Sequence, residues 1–465
     1  TAGELTTNDG SADRDLTVSG DVDITGTLTG NASAISMGSL TINSGGTYSA
    51  TSGTTTITSK ASSNFAFKNE GTFTHNSGTM QIGDGSTSTG GAHLMNSTYH
   101  NLIINRDQNA PDGNTPFRAS TGSTTTIEGD LTVTKGRFYR NSSTSTLVVA
   151  GHVLIEANGQ VGTDAATGSN TFGSLKVVSG GKYLATGGTT TVSKEADTGG
   201  TDFMFHNDGT FNHNDGKFVF DDAGLSSNSN VRCSSSFYDV EITMGSFILI
   251  SHHNMNVAND FTVTTGTYSD GSNGFTITED VSVASGATLL LSNSSTQTKT
   301  LGTISVASGA TFRACSGTTT ITKANGGTDG RAFFIHGSAT FTHNNGLVKF
   351  TASSPQVAPT STGQTSTSHP FYDLEQTTGT MQWKAEHHKV LNNCTMQGSA
   401  FNGSTGNVHV LGICRLTGET FNSGDTATND NNFFQTLVIE SGATLDLSAI
   451  NITVGSLRNL GGTIP

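Results

Sequence analysis

A nine-residue pattern recurs along this chain, and neighbouring copies lie about 22 residues apart. It reads apolar-x-apolar-x-Ser-Gly-x-x-apolar, where x is any residue, and a degenerate copy has Asn158 in the glycine place. Complete copies begin at Leu40, Leu175, Val281, Ile304 and Leu437. Apolar residues at alternate positions predict short, half-buried strands. A period of about 22 residues that holds several such strands is typical of the coils of a β-solenoid.

The pattern therefore predicts an all-β fold, a parallel β-helix (β-solenoid) with coils of about 22 residues. One coil cannot bury its own apolar edge, so successive coils must stack about 4.8 Å apart around one narrow core. We expect the glycine after serine to adopt a positive φ at a corner of the coil. We expect the same of Asn158, because asparagine tolerates that conformation.

A longer repeat of about 130 residues is superimposed on the short one. Its signature is Phe-x-His-Asn-x-Gly, which follows a Gly-Thr-Thr-Thr run each time. The signature residues are Phe73, His75, Asn76 and Gly78, then Phe211, His213, Asn214 and Gly216, and finally Phe341, His343, Asn344 and Gly346. The chain is thus a tandem array, and its segments are variations on one unit.

This long repeat predicts five segments. They are a lead-in or attachment segment with the first short strands (1–38), three solenoid repeats (39–173, 174–302 and 303–435) and a partial fourth repeat (436–465). Residues 106–123 and the proline-containing stretch that ends at Pro370 are expected to form protruding loops. The chain stops at Pro465 within a repeat, and we expect such an edge to be covered by a partner or by a second copy.

Composition excludes some classes of partner. The net charge is −14 and the sequence pI is about 5.3, with no basic stripe that would bind nucleic acid. No apolar run is long enough to span a bilayer. Charged residues make up only 12% of the chain, and threonine, serine, asparagine and glycine take their place. That mixture suits short strands joined by tight turns.

The histidines of the signature are the most prominent candidates for chemistry. Successive copies would lie about six coils or about 29 Å apart in a solenoid, too far to share a metal ion. The asparagine beside each histidine indicates a hydrogen-bonded turn, so we predict a structural role, with no metal and no cofactor. Asn101, Asp239 and Asp373 occupy one repeat position. Because asparagine cannot replace a catalytic acid, this exchange favours a structural turn, and no catalytic residue is predicted.

Four cysteines are too few for a disulfide scaffold. Cys394 and Cys414 lie about one coil apart, so they are expected to stack. A bridge and a pair of buried free thiols both fit this spacing, and we favour the free thiols.

Two stretches resemble known proteins. The opening Asp-Leu-Thr-Val-Ser-Gly-Asp-Val-Asp-Ile-Thr-Gly-Thr-Leu-Thr-Gly (15–30) is similar to phrases near the start of bacteriophage tail-fibre and virion appendage proteins, especially those of marine phages. The unit Gly-Thr-Phe-Thr-His-Asn-x-Gly, with Phe-Tyr-Asp-Leu after it, resembles Gly-rich repeats of large secreted bacterial surface proteins and environmental phage proteins. The resemblance covers most of residues 15–460. The resemblance implies a homotrimer and carries over no catalytic residue. As a departure from it, we expect no knob-like C-terminal domain, which many fibres have, in this sequence.

Three functional hypotheses follow. The first is a non-enzymatic tail fibre or spike at the virion surface or outside the cell, whose shaft presents loops to a host-surface glycan. The second is a secreted prokaryotic surface protein that stacks end to end into a filament or coat, or acts as an adhesin. A polysaccharide depolymerase on the same scaffold is the third, because glycosidases also occur on β-helices.

Overall fold

The computed structural model describes most of the chain. The described residues are 3–8, 10–83, 93–95, 97–106, 117–119, 124–140, 144–162, 166–196, 202–292, 297, 299–327, 330–358, 369–383, 387–397, 401–403, 407–418, 420–421, 432–447 and 452–465. Most of the first predicted loop and residues 359–368 of the second lie outside these ranges.

The described residues contain no helix, and their short strands stack in parallel with coils about 23 residues apart. The predicted all-β parallel β-solenoid is therefore confirmed. The chain divides into two compact units, residues 1–238 and 239–465. The five segments drawn from the long repeat stay a prediction.

The first unit contains strands β1 to β23. In order they are Glu4–Thr6, Leu16–Ile24, Thr27–Thr29, Ile35–Ile42, Thr47–Ser49, Thr54–Ile57, Phe65–Asn69, Thr72–Thr74, Thr79–Ile82, His93–Leu94, Thr98–Tyr99, Asn101–Asn105, Phe117–Ala119, Thr125–Ile127, Leu131–Arg140, Leu147–Val161, Asn170–Val177, Lys182–Leu184, Thr189–Val192, Phe205–Asn207, Thr210–Asn212, Lys217–Asp221 and Ser229–Cys233.

The second unit contains strands β24 to β45. In order they are Asp239–Ser251, Met255–Val257, Phe261–Ser269, Phe275–Val283, Thr288–Leu290, Lys299–Val306, Thr311–Arg313, Thr318–Ile321, Phe333–Ile335, Thr340–Thr342, Leu347–Phe350, Gln356–Ala358, Asp373–Gln376, Met381–Trp383, His387–Val390, Cys394–Met396, Phe401–Gly403, Asn407–Leu416, Thr420–Phe421, Asn432–Glu440, Thr444–Leu445 and Ile452–Leu460.

One coil of the first unit shows how the chain winds. Strand β17 bends in its middle, so Asn170–Phe172 pairs with β19 while Leu175–Val177 pairs with β20. Strand β18 pairs with β21 on a third side. All three pairings are parallel. Strand β29 of the second unit bends in the same way between β31 and β32. A short coil with strands on three sides explains why buried and exposed side chains alternate over only three or four residues on each side.

Aromatic side chains stack in the core one coil above another. Tyr183 and Phe211 are register partners, and their rings lie 6.0 Å apart with an interplanar angle of 6°. Phe312 and Phe341 repeat the arrangement in the second unit, with ring centroids 5.6 Å apart. Parallel in-register pairing places the same side-chain position of successive coils face to face, so aromatic rings form an apolar ladder within each unit.

The Thr-Thr-Thr runs place their middle residue inside the core. The hydroxyl of Thr55 lies 2.6 Å from that of Tyr48, and the hydroxyl of Thr190 lies 2.9 Å from that of Tyr183. All four of these side chains are buried. Burial raises the pKa of Tyr48 to about 12. These two runs thus supply a partner for a buried tyrosine hydroxyl, which would be costly to leave unsatisfied.

The glycine of the short pattern adopts the predicted left-handed conformation. Its φ is 82° at Gly45, 88° at Gly180, 79° at Gly286, 72° at Gly309 and 91° at Gly442. The matching prediction for Asn158 is wrong. Strand β16 does turn here, since Ile155 pairs with β17 and Gln160 pairs with β18 on another side of the coil, but Asn158 is not among the residues with positive φ. Its side chain is exposed.

Candidate functional site

The long-repeat signature forms a tight turn at a corner of the coil. The N–H of Gly78 donates to the carbonyl of His75 over 2.9 Å, and the other two copies make the same bond over 3.0 Å. The two residues inside each turn have positive φ values. They are Asn76 (47°) and Ser77 (58°), Asn214 (51°) and Asp215 (54°), and Asn344 (53°) and Asn345 (58°). Positive φ at both central positions defines a type I′ turn, which asparagine tolerates better than most residues.

The signature histidine caps this turn with its own ring. Nδ1 of His75 accepts the N–H of Ser77 over 3.0 Å. His213 and His343 accept from the residue two positions on over 3.0 Å and 2.9 Å. Because Nδ1 accepts a hydrogen bond, the proton of a neutral ring is at Nε2. The spacing His-Asn-x-Gly is therefore explained by turn geometry.

Each signature histidine also stacks on a ring from the next coil. His75 lies 5.7 Å from His100, and His343 lies 5.5 Å from Tyr372 with an angle of 24°. The pair in the middle copy, His213 and Tyr238, has the same 5.7 Å separation. These side chains are half-buried. They form a repeated surface feature that no single copy of the motif would reveal.

The asparagine and glycine of the signature bind the turn to the preceding coil. Nδ2 of Asn76 donates to the carbonyl of Ala50 over 2.7 Å. Gly78 lies so close to the preceding coil that a Cβ there would overlap the carbonyl oxygen of Thr51. The cavity beside this corner has a volume of about 10 Å³, enough for no more than about one water molecule. This corner is therefore packed rather than open to a ligand.

Asn101, Asp239 and Asp373 occupy one repeat position and make the same kind of hydrogen bond. Each side chain accepts a backbone N–H from the next coil. The donors and distances are Asp130 to Asn101 (2.9 Å), Asp260 to Asp239 (3.1 Å) and Asn393 to Asp373 (2.8 Å). Amide and carboxylate oxygens accept this bond equally, which explains why asparagine and aspartate exchange.

We expect Asp373→Ala to lower the free energy of unfolding by about 1–2 kcal/mol, because Oδ1 of Asp373 also accepts a bond from the Asn392 amide over 2.9 Å. Asp373→Asn keeps an acceptor there and is expected to be nearly neutral. Urea unfolding followed by circular dichroism measures both variants. An equal loss in the two variants would show that the charge of Asp373, and not its acceptor, is what matters.

The two cysteines predicted to stack are register partners in β39 and β41. Cys394 and Cys414 are free and fully buried, as are Cys233 and Cys315 to within a few per cent. A hydrogen bond with Cys394, reinforced by burial, raises the pKa of Cys414 well above its ordinary value. Burial raises the pKa of Cys233 to about 12. Such thiols carry almost no reactive thiolate at neutral pH.

We therefore expect a thiol reagent such as Ellman's reagent to leave the native protein unlabelled, because no cysteine is both exposed and ionised. After unfolding in guanidinium without a reductant, all four cysteines are expected to react. Two thiols that react only after reduction would instead reveal a bridge between Cys394 and Cys414.

A basic ladder on the first unit contains a buried histidine. His206 is the register partner of Lys176 on one side and of Arg232 on the other. Its Nε2 lies 2.8 Å from a carboxylate oxygen of Asp208, and the ring of Phe203 lies 4.9 Å away. Burial lowers the pKa of His206, with a further lowering by Arg232 and Lys176, while Asp208 opposes the shift.

Because the pKa of His206 is lower in the folded protein than its ordinary 6.5, the unfolded chain takes up the proton first as the pH falls. The contribution of His206 to stability is expected to be fully present above pH 6.5 and to be lost progressively below it until the folded pKa is reached. His206→Gln should reduce this decline, as measured by urea midpoints at several pH values. His252→Gln, at an exposed side chain, is the matched control.

The second unit contains a buried ion pair that the sequence hardly predicts. Nζ of Lys299 lies 2.5 Å from Oδ2 of Asp270, and neither side chain has any solvent exposure. Lys299 stands where Ile35 and Asn170 stand in the other repeats, since all three pair with the middle threonine of a Thr-Thr-Thr run. A lysine at the position that Ile35 and Asn170 occupy in the other repeats is the one signal that could have revealed the pair.

Among the described residues, no group of three or more histidine, cysteine, aspartate or glutamate side chains is arranged to hold a metal ion. The same residues contain no helix that is long and apolar enough to cross a membrane. No protein-family model, curated protein or solved structure matches the chain. The function must therefore be inferred from the architecture and from the residues themselves.

Proposed function

We propose that this chain is the shaft of a non-enzymatic extracellular appendage, of the phage tail-fibre or spike type, that attaches to a glycan on a host surface. The observation that carries the proposal is the parallel, in-register stack of coils in each unit. Within a unit, a described strand is hydrogen-bonded to the coil before it and the coil after it, as β19 is to β17 and β22. Such a stack holds surface side chains at fixed intervals.

The side chains on the surface suit this role. In β19 the alternation leaves Thr189 and Thr191 partly exposed while Thr190 and Val192 are buried. The run 318–320 follows the same alternation. Hydroxyl side chains both donate and accept hydrogen bonds, which is the chemistry that sugar hydroxyls require. The resemblance of the opening stretch to virion appendage proteins points to the same class, and it implies a homotrimer.

The test combines binding, turnover and shape. Purified protein is applied to an array of bacterial surface glycans, incubated with the polysaccharides it binds, and imaged by negative stain. A shaft of an attachment fibre is expected to bind a subset of glycans, leave their chain length unchanged and form discrete particles. Shortened polysaccharide would support the depolymerase instead, and the absence of binding to any surface glycan would contradict attachment.

Self-assembly into a filament or coat is the second candidate, and one observation favours it. Leu411 and Ile413 are 42% and 39% exposed in the middle of β41, where the neighbouring apolar residues are buried. Exposed aliphatic side chains on an otherwise polar surface favour contact with another protein surface. If the protein forms indefinite fibres, the double variant Leu411→Ser, Ile413→Ser should shorten them. Fibres of unchanged length would exclude this surface as the contact.

A further inference from the structure

The buried ion pair of the second unit has the geometry of a reaction site. Asp270 follows β26 directly, and its carboxylate accepts the N–H of Ser272 at Oδ1 and the N–H of Ser292 at Oδ2, each over 3.1 Å. Lys299 begins β29 and donates to Oδ2 of Asp270 and to the carbonyl of Asn273. The carboxyl group is thus held by two backbone donors while the amine is directed at it.

The surroundings of the pair exclude water. Lys299 is the register partner of Phe275 in the coil before it and of Thr319 in the coil after it. Phe275 and Thr319 are fully buried, and so is Tyr268, whose ring lies 5.6 Å from that of Phe275. Two full charges are costly in such a place, and a proton transfer from ammonium to carboxylate removes both. The products of that transfer are a neutral amine and a neutral carboxylic acid.

We propose that Lys299 and Asp270 form an intramolecular isopeptide bond that staples two coils of the second unit. The Nζ lone pair attacks Cγ of the protonated carboxyl, the C–N bond forms, and the tetrahedral carbon then loses one oxygen as water. The two hydrogens of that water both come from the lysine: one is the proton already transferred to the carboxyl, and the other leaves the nitrogen after the attack. No oxidant, reductant or co-substrate is needed.

Two features of the site favour the reaction. Folding holds the amine and the carboxyl group side by side, so they react as if each were present at a very high concentration. The entropy cost of bringing the two groups together is met when the chain folds and does not add to the reaction barrier. The N–H groups of Ser272 and Ser292 are positioned to stabilise negative charge that develops on the carboxyl oxygens. The water that leaves a dry interior does not readily return, so the amide is favoured over its hydrolysis.

The intact mass of the denatured full-length protein tests the proposal. A cross-linked chain is expected to be about 18 Da lighter than its sequence, the mass of one water molecule. Proteolysis followed by tandem mass spectrometry should then yield a branched peptide that joins the segments around Asp270 and Lys299. Full sequence mass after prolonged incubation of the folded protein would overturn the proposal.

A second reaction gives the same mass loss and must be separated. Asp270 precedes Gly271, and an aspartyl-glycine sequence can lose water to form a succinimide without any lysine. Lys299→Met removes the amine and should restore the full mass, whereas a succinimide would survive this variant and overturn the cross-link. Lys349→Met is the matched control, because Lys349 forms a partly exposed pair with Glu375 at 2.9 Å, and it should retain the mass loss. If Lys299→Met does not fold, the branched peptide of the unaltered protein decides the question.

Discussion

Relative to protein in which Asp270 and Lys299 are still an ion pair and not cross-linked, replacing Asp270 by alanine is expected to lower the free energy of unfolding of the second unit by about 3–5 kcal/mol, the usual cost of leaving one member of a buried pair without its partner. Lys299 has no solvent exposure, so its ammonium cannot reach water without disrupting the coil. The N–H groups of Ser272 and Ser292 would also lose their acceptor. Urea unfolding of the full chain, followed by circular dichroism, measures the effect.

Two further variants show whether the unpaired charge is the cause. Asp270→Leu combined with Lys299→Met removes both charges and is expected to recover most of the lost stability, because apolar residues of similar volume often replace a buried pair at little cost. Glu375→Ala breaks the partly exposed pair with Lys349 and should cost no more than about 1 kcal/mol. A loss for Asp270→Ala as small as that for Glu375→Ala would show that the Lys299 site is hydrated.

Replacing Gly216 by alanine is expected to lower the stability of the first unit by about 3 kcal/mol, the upper range for overpacking in a close-packed interior. A Cβ on Gly216 would overlap the carbonyl oxygen of Thr186 in the preceding coil. That oxygen belongs to the backbone, so the two coils would have to separate at the signature turn. The signature glycine is therefore needed for the close approach of two backbones.

Gly45 supplies the matched control. Its φ is +82°, yet no atom lies within 4 Å of the position that a Cβ would take, so only its backbone conformation favours glycine. Gly45→Asn is expected to cost well under about 1 kcal/mol, because asparagine tolerates the left-handed region. If Gly45→Asn and Gly216→Ala lower the urea midpoint equally, close packing between coils is not the reason for the signature glycine.

The winding of the chain could be predicted from the sequence because its cause is local and repeated. Alternate apolar residues followed by Ser-Gly specify a short strand and a corner, and the spacing of about 22 residues specifies the next coil. The spacing of Cys394 and Cys414 predicted their contact for the same reason, and the two are register partners. Asn158 shows the limit, since the chain turns between Ile155 and Gln160 without the positive φ that the glycines of the pattern adopt.

The signature turn and the buried pair could be predicted only in part. The asparagine in Phe-x-His-Asn-x-Gly indicated a turn, but the ring contact of His343 with Tyr372 joins residues of different coils. Lys299 and Asp270 are ordinary charged residues in the sequence, and each depends on the other to be buried. Contacts between stacked coils join residues that are far apart in the sequence, so no local sequence pattern predicts them.

Disulfide trapping tests the parallel in-register stacking most directly. Thr189 and Lys217 are register partners in β19 and β22, and adjacent parallel strands lie about 4.8 Å apart, within reach of a disulfide. A β-solenoid predicts that Thr189→Cys with Lys217→Cys forms a disulfide on mild oxidation, whereas Thr189→Cys with Val219→Cys, two residues out of register, does not. A chain folded as separate antiparallel sandwiches would fail to form the first disulfide or would form both equally, and either result would contradict the solenoid.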